Sequence, residues 1–163
     1  MIAAPSRPLL VVDDSDEDVT ALRWALGKAG VARPVRRCAS GAELFAYLRA
    51  ASAEERVAPP ADAPPADAPP PALILLDLNL GVDDGREVLA ELKADDALRR
   101  IPVVVWTTSA HPEDVDRCYA SGASGYATKP VDAAQLVDTL RDVARYWFER
   151  MVLPAPPAPP RRA

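Results

Sequence analysis

The sequence predicts an α/β fold: a doubly wound, five-stranded parallel sheet with helices on both faces. Three observations carry this. Short apolar runs such as Leu9–Val12, Leu73–Leu80 and Ile101–Trp106 have the length and almost wholly apolar character of strands buried on both sides. Between them lie stretches with apolar residues at helical spacing, opened by capping residues. The two patterns alternate five times, and short right-handed crossovers make a parallel sheet their natural solution.

The totals allow one folded domain of residues 8–152 with an N-terminal tail (1–7) and a proline-rich C-terminal tail (153–163) in a chain of 163 residues. With 49% hydrophobic residues the chain can bury a real core, and 26% charged residues suits a water-facing surface. A net charge of −5 argues against a broad nucleic-acid surface. Cys38 and Cys118 have no metal-like or redox spacing, so free thiols in a reducing cytoplasm are expected. The run Leu9–Val12 is followed at once by Asp13, Asp14, Asp16, Glu17 and Asp18, which is neither a signal peptide nor a membrane span.

Taken in order, the first strand ends in Asp13-Asp14. Ser15 and Asp18 then form a capping box for a helix carrying Val19, Leu22, Leu26 and Ala29, stopped by Gly30. Val35–Ala39 is a weaker strand whose Arg36 and Arg37 suit a sheet edge. Ser40 and Glu43 cap a short helix through Leu44, Tyr47 and Leu48. From about residue 52 to 71 the pattern fails: Pro-Pro-Ala-Asp-Ala occurs twice before Pro69-Pro70-Pro71. Such a segment favours extended polyproline II and reads as a solvated insertion, or else as a docking segment for a proline-recognising domain.

The central strand, Leu73 to Leu80, carries Asp77 near its end. A loop from Gly81 to Gly85 follows, with Asp83 and Asp84 as turn and cap residues, then a helix over Arg86–Ala97. Ile101–Trp106 runs into Thr107-Thr108-Ser109. Pro112 opens the next helix, with His111 a helix-start residue. Ser124–Thr128 closes in Lys129-Pro130, and Asp132 caps a final helix with Leu136, Leu140, Val143, Trp147 and Met151 on one face. In the flavodoxin-like order 2-1-3-4-5 the first and third strands are neighbours, so Asp13 and Asp14 sit beside Asp77 at the carboxyl edge, where open α/β folds bind ligands.

Three carboxylates at one edge repel each other, and such a cluster holds either protons or a divalent cation; a solvated acidic cleft suits the cation. Mg²⁺ is expected, with Mn²⁺ able to substitute, because it takes oxygen ligands and is held by one or two carboxylates plus phosphate. The fourth and fifth strands add the Thr107 hydroxyl and the Lys129 ammonium. Carboxylate, metal, hydroxyl and lysine together make a phosphoryl-transfer site, in which Asp77 attacks phosphorus while the others neutralise its oxygens.

Asp13-Asp14, Asp77, Thr107 and Lys129-Pro130 resemble the five-position signature of response regulator receiver domains in two-component signalling, over about Pro8 to Phe148. More narrowly, Leu75-Leu76-Asp77-Leu78-Asn79-Leu80, Asp84–Leu89, Pro102–Ser109 and Tyr146-Trp147-Phe148 resemble regulators paired with bacterial phytochrome kinases. The resemblance implies that Asp77 is the phosphoacceptor. Asp13, Asp14, Asp77 and the Asn79 backbone carbonyl would hold the metal, and Thr107 and Tyr126 would be the switch pair. Lys129 would pair with the phosphoryl group, and the bond before Pro130 would be cis. Asn79 and Ser109 would set the lifetime of the phosphorylated state. Gly81 stands where proline is usual, implying a looser loop, and Thr108 is larger than the residue common there, implying narrower access to Asp77.

The implied partner is a sensor histidine kinase, which the narrower match implies to be a bacteriophytochrome, and the chain is not expected to be a turnover enzyme. Eleven residues follow Val152, so no output domain is expected. Output would run through a partner, a dimer change or phosphate shuttling. Tyr146, Trp147 and Phe148 cannot all face one core from a regular helix, so either one is exposed or the last helix packs on a second copy; a homodimer is the expectation. Two other classes compete. A phosphorelay shuttle or phosphate sink, or a receiver-fold adaptor without phosphorylation, would keep the same fold. An Asp-nucleophile phosphatase needs an acid at the position of Asn79, which an amide cannot replace.

Overall fold

The computed structural model describes residues 6–52 and 69–157. The start of the expected N-terminal tail, most of the proline-rich insertion and the end of the C-terminal tail lie outside the described residues. In chain order the first elements are β1 (Leu9–Val12), α1 (Asp16–Lys28), β2 (Val35–Cys38), α2 (Gly41–Ser52) and β3 (Leu73–Leu76). A two-residue pair follows, β4 (Asn79–Leu80) with β5 (Asp83–Asp84), then α3 (Gly85–Ala94). The chain continues as β6 (Val103–Thr107), α4 (Pro112–Ala120), β7 (Gly125–Thr128), α5 (Ala133–Arg145) and a closing π-turn, Tyr146–Arg150.

The main sheet is parallel with order β2-β1-β3-β6-β7, the expected 2-1-3-4-5 once the small β4–β5 pair is set aside. Alternation along each central strand divides the core in two. Leu10, Val12, Ile74, Leu76, Val103 and Val105 point to one face, where α2, α3 and α4 contribute Leu44, Leu89 and Cys118. Leu9, Val11, Leu73, Leu75, Val104 and Trp106 point to the other, covered by α1 and α5 through Leu22, Leu26 and Leu140. Side chains pack both faces of β1, β3 and β6, which is why these strands read as unbroken apolar runs. On β2 only Cys38 is buried, as expected for an edge. Burial pushes the Cys38 thiol up to about 12, which leaves it an inert core residue.

Several local expectations change. The predicted third helix stops at Ala94, because Asp95 leaves helical geometry and its carboxylate takes the N–H groups of Ala97 and Leu98. The central strand stops at Leu76 rather than running to Leu80: Asp77 and Leu78 lie past its end, and Asn79 opposes Asp84 and Leu80 opposes Asp83 around a two-residue turn. Gly81 stands at the first turn position with φ of 66°, a conformation closed to proline, so glycine tightens this loop where a looser one was expected. The bond before Pro130 is not cis, since no cis peptide occurs among the described residues. The trans form is intrinsically lower by about 0.5–1 kcal/mol, and from it Lys129 already reaches its carboxylate partners.

The final helix departs from regularity where the aromatic triplet begins. Met151 N–H donates to the Tyr146 carbonyl at 3.0 Å across the wider π-turn. That shift turns both Trp147 and Phe148 onto the α1/α5 core, leaving Tyr146 exposed and Met151 off the buried face. Arg33 lies 4.0 Å over the Phe148 ring, and Tyr146 meets Trp147 edge-on at 5.2 Å. At the amino edge of the sheet, Arg7 donates to the carbonyls of Pro71 (2.6 Å) and Pro154 (2.7 Å), tying the end of the insertion to the C-terminal segment.

Gly85 meets the end of the central strand at a distance no side chain tolerates: a Cβ there would lie 2.1 Å from the Asp77 carbonyl oxygen and 2.6 Å from Leu78 Cα. Both are backbone atoms and cannot rotate away. Gly85→Ala is therefore expected to cost about 2–3 kcal/mol of stability, read as a fall in the urea midpoint. An unchanged midpoint would contradict this packing.

Candidate functional site

Sheet register brings the predicted residues together. Val12 pairs with Leu76, so Asp13 and Asp77 are each the first residue past their strand, and Asp77 N–H donates to the Val12 carbonyl at 3.0 Å. Thr107 pairs with Thr128, and Lys129 N–H donates to the Thr107 carbonyl at 2.7 Å, which sends the lysine side chain from the same edge.

Lys129 Nζ is the centre of the site. It lies 2.7 Å from Oδ2 of Asp13, of Asp18 and of Asp77. An ammonium has three hydrogens to donate, and each finds a carboxylate here. Lys129, Asp13 and Asp77 have side chains only 8%, 2% and 9% exposed, while Asp18 opens to solvent at 45%. Burial pulls the lysine pKa down, but the hydrogen bonds to the three aspartates outweigh it and hold the group above its ordinary value. Burial raises the Asp13 carboxyl above the usual range, only partly offset by Lys129 and the Ser15 N–H. The second oxygens are engaged as well: Asp13 Oδ1 accepts from Ser15 N–H at 2.9 Å, and Asp77 Oδ1 from Asn79 N–H at 3.2 Å.

The three oxygens of Asp13, Asp18 and Asp77 lie within 4.8 Å of one another, an all-oxygen donor set that fits a hard divalent cation. Asp14 stands outside this trio. It is exposed, and its carboxylate lies against Gly81, where a Cβ would come within 2.8 Å of Oδ2. Asn79 is exposed and paired with Asp84 in the small hairpin. Asp83 instead accepts from the Gly41 N–H at 2.8 Å, stitching this loop to the start of α2.

Thr107 is fully buried, and its hydroxyl accepts from Ser109 N–H at 3.4 Å. Tyr126 packs against the α2/α3/α4 core and donates its hydroxyl to the Ser109 carbonyl at 2.9 Å. Thr108 is exposed and, with Pro130, Val131 and Leu136, lines a groove whose other wall is Trp24 on α1. Tyr146, Trp147 and Phe148 lie beyond the opposite end of α5 from Lys129.

Two residues of this edge were not legible as such. Asp18 reads as the second half of a capping box, and Ser15 Oγ does accept its N–H at 3.2 Å. The return bond is not made: Ser15 N–H goes to Asp13, which frees the Asp18 carboxylate for Lys129. Arg37 reads as an edge charge. Its guanidinium donates to the carbonyls of Asp13 (3.1 Å) and Asp14 (3.0 Å) and pairs with Asp16, bracing the acidic turn from below. The density of acids from Asp13 to Asp18 was the available signal for both.

Residues 9–141 match the response regulator receiver domain family. The response regulator Rcp1 of Synechocystis is 34% identical over 151 residues, covering 93% of this chain and 95% of its own length. The phosphorylated cyanobacterial phytochrome response regulator RcpA superposes with a TM-score of 0.77 at 34% identity, over 92% of this chain and 99% of that one. The Mn²⁺-bound form of Rcp1 gives a TM-score of 0.74 at 33% identity, over 91% and 99%. No helix among the described residues is long and apolar enough to cross a membrane. With the sheet order, the carboxylate edge and these likenesses in agreement, the chain belongs to the response regulator receiver domain family.

Proposed function

We propose that this receiver accepts a phosphoryl group on Asp77 from a histidine kinase and signals through partner or dimer interactions. The observation that carries the reading is the Lys129 ammonium 2.7 Å from both Asp77 and Asp13 at the carboxyl edge of the sheet. An Asp77 oxygen attacks phosphorus, the bond from phosphorus to the donor imidazole breaks, and the imidazole leaves with that electron pair. The product is an acyl phosphate. Lys129, already held protonated, then trades carboxylate partners for phosphoryl oxygens. Thr107 supplies a hydroxyl on a strand end fixed to the Lys129 backbone.

Of the Asp13, Asp18 and Asp77 trio, Asp13 and Asp77 are the proposed holders of Mg²⁺, joined by Asp14 and the Asn79 carbonyl from outside it, while Asp18 keeps its contact with Lys129. The ion would supply charge neutralisation of the phosphoryl oxygens, and Mn²⁺ would serve as well. The Mn²⁺-bound relative supports a divalent site of this kind. The likeness to phytochrome response regulators supports a bacteriophytochrome-type kinase as donor. The groove between Trp24 and Val131, both strongly exposed, adjoins Lys129 and offers such a partner an apolar seat.

Incubated with Mg²⁺ and a small-molecule phosphodonor, wild-type protein is expected to shift in a phosphate-affinity gel, and chelation of the metal to abolish the shift. Asp77→Asn should not shift; equal migration of the two proteins under every donor would defeat the assignment.

A homodimer through the end of the last helix is proposed on a second observation, the half-exposed Tyr146 ring (51%) set against Trp147. Light scattering should give a dimer mass that Tyr146→Lys reduces to monomer. Monomer mass for wild type at all concentrations, phosphorylated or not, would contradict it.

A further inference from the structure

A second polar chain begins just past the acceptor strand and takes no part in the Lys129 cluster. Asp84 caps α3: its Oδ1 accepts from Arg86 N–H at 2.8 Å and from Arg86 Nη1 at 3.0 Å. Arg86 Nε donates to Asp114 Oδ1 in the first turn of α4 at 2.8 Å. Asp114 Oδ2 accepts from the Ser109 hydroxyl at 2.6 Å. Ser109 is the junction. Its carbonyl receives the Tyr126 hydroxyl at 2.9 Å and its N–H donates to Thr107 Oγ1 at 3.4 Å. One run of hydrogen bonds thus links the acceptor loop, α3, α4 and the loop after β6 to Thr107 and Tyr126.

The pair at its centre is shielded and ionised. Arg86 and Asp114 side chains are 19% and 17% exposed. The Arg86 hydrogen bond, then that of Ser109, holds the Asp114 carboxyl at about 2, and the same contact raises Arg86. Arg86 is therefore fixed to two elements at once, by Asp84 on its own side and by Asp114 across the α3–α4 contact. The Ser109 loop, which has no regular structure of its own, inherits its position from them.

We propose that Arg86 and Asp114 are positioning residues for the switch: they fix the Ser109 loop so that its carbonyl receives the Tyr126 hydroxyl before any phosphoryl group arrives. This rests on the reading of Asp77 as phosphoacceptor and of Thr107 and Tyr126 as its switch pair. A conformer already populated costs a ligand less to select, so the preset loop raises the apparent affinity for the phosphoryl group and its mimics. A bridge serving only to hold α3 against α4 would add stability without acting through Tyr126.

The test uses the full chain, Mg²⁺ and beryllofluoride as phosphoryl mimic, with binding followed by fluorine NMR of the bound anion. Arg86→Gln and Asp114→Ala are each expected to weaken beryllofluoride binding about threefold to tenfold, the range one such hydrogen bond supports. Ser109→Ala, which leaves the Arg86–Asp114 pair in place, should shift affinity the same way and covers the case of an α4 variant that folds poorly. In a Tyr126→Phe background, which keeps the ring and removes the hydroxyl, the effect of Asp114→Ala should fall below about twofold. Variants that match wild type, or an effect undiminished in the Tyr126→Phe background, overturn the proposal alone. Wild-type protein that takes up no beryllofluoride overturns the phosphoacceptor reading and the proposal with it.

Discussion

Asp13, Asp18 and Asp77 can share one sheet edge because a single ammonium lies 2.7 Å from an oxygen of each. Full negative charges less than 5 Å apart would repel by about 3–4 kcal/mol per pair at the effective dielectric of such a site. Lys129 turns that repulsion into three charge-assisted hydrogen bonds, at the cost of committing every donor it has. The arrangement is tense by composition. A phosphoryl group or a divalent cation arriving there competes for the same oxygens and the same hydrogens, so either one must rearrange the cluster to bind.

Everything that positions Lys129 and its partners follows from strand ends. The pairing of Val12 with Leu76 and of Thr107 with Thr128 sets the depth at which each chemical group emerges, and apolar packing on both faces of β1, β3 and β6 keeps those strands from sliding. Loops add what strands cannot. Gly85 lets α3 start against the Asp77 carbonyl, Gly81 closes the small hairpin, and Arg37 reaches across from the edge strand to hold the acidic turn. The polar run from Asp84 to Tyr126 continues this logic away from the site, through side chains rather than backbone.

Much of this was legible in the residues. Unbroken apolar runs ending in Asp13, Asp77 and Thr107, alternating with capped helices, were enough for the sheet order and for which groups meet at its edge. Illegible features have two causes: where a polar side chain goes once the fold exists, and where the backbone leaves regular helical geometry. Asp18 could cap its own helix or reach Lys129, and only the position of the lysine decides. Arg86 could be a solvated helix charge, and only the placing of α4 brings Asp114 within reach. The aromatic triplet could not all face the core from a regular helix; the π-turn, invisible in periodicity, packs two of the three, partly buried, against it. Asp95 ended a helix whose apolar pattern ran on, because its own carboxylate offered the backbone a better partner than the next turn.

The central claim concerns a bond not yet formed, between Asp77 and phosphorus. It is tested most directly by treating the phosphodonor-incubated protein with borohydride, which reduces an acyl phosphate to an alcohol and so converts the modified aspartate to homoserine. Peptide mass spectrometry should then find homoserine at position 77, dependent on both donor and divalent cation. Homoserine at Asp13 or Asp14 instead, or no reduction product in protein shown to carry phosphate, would contradict the account.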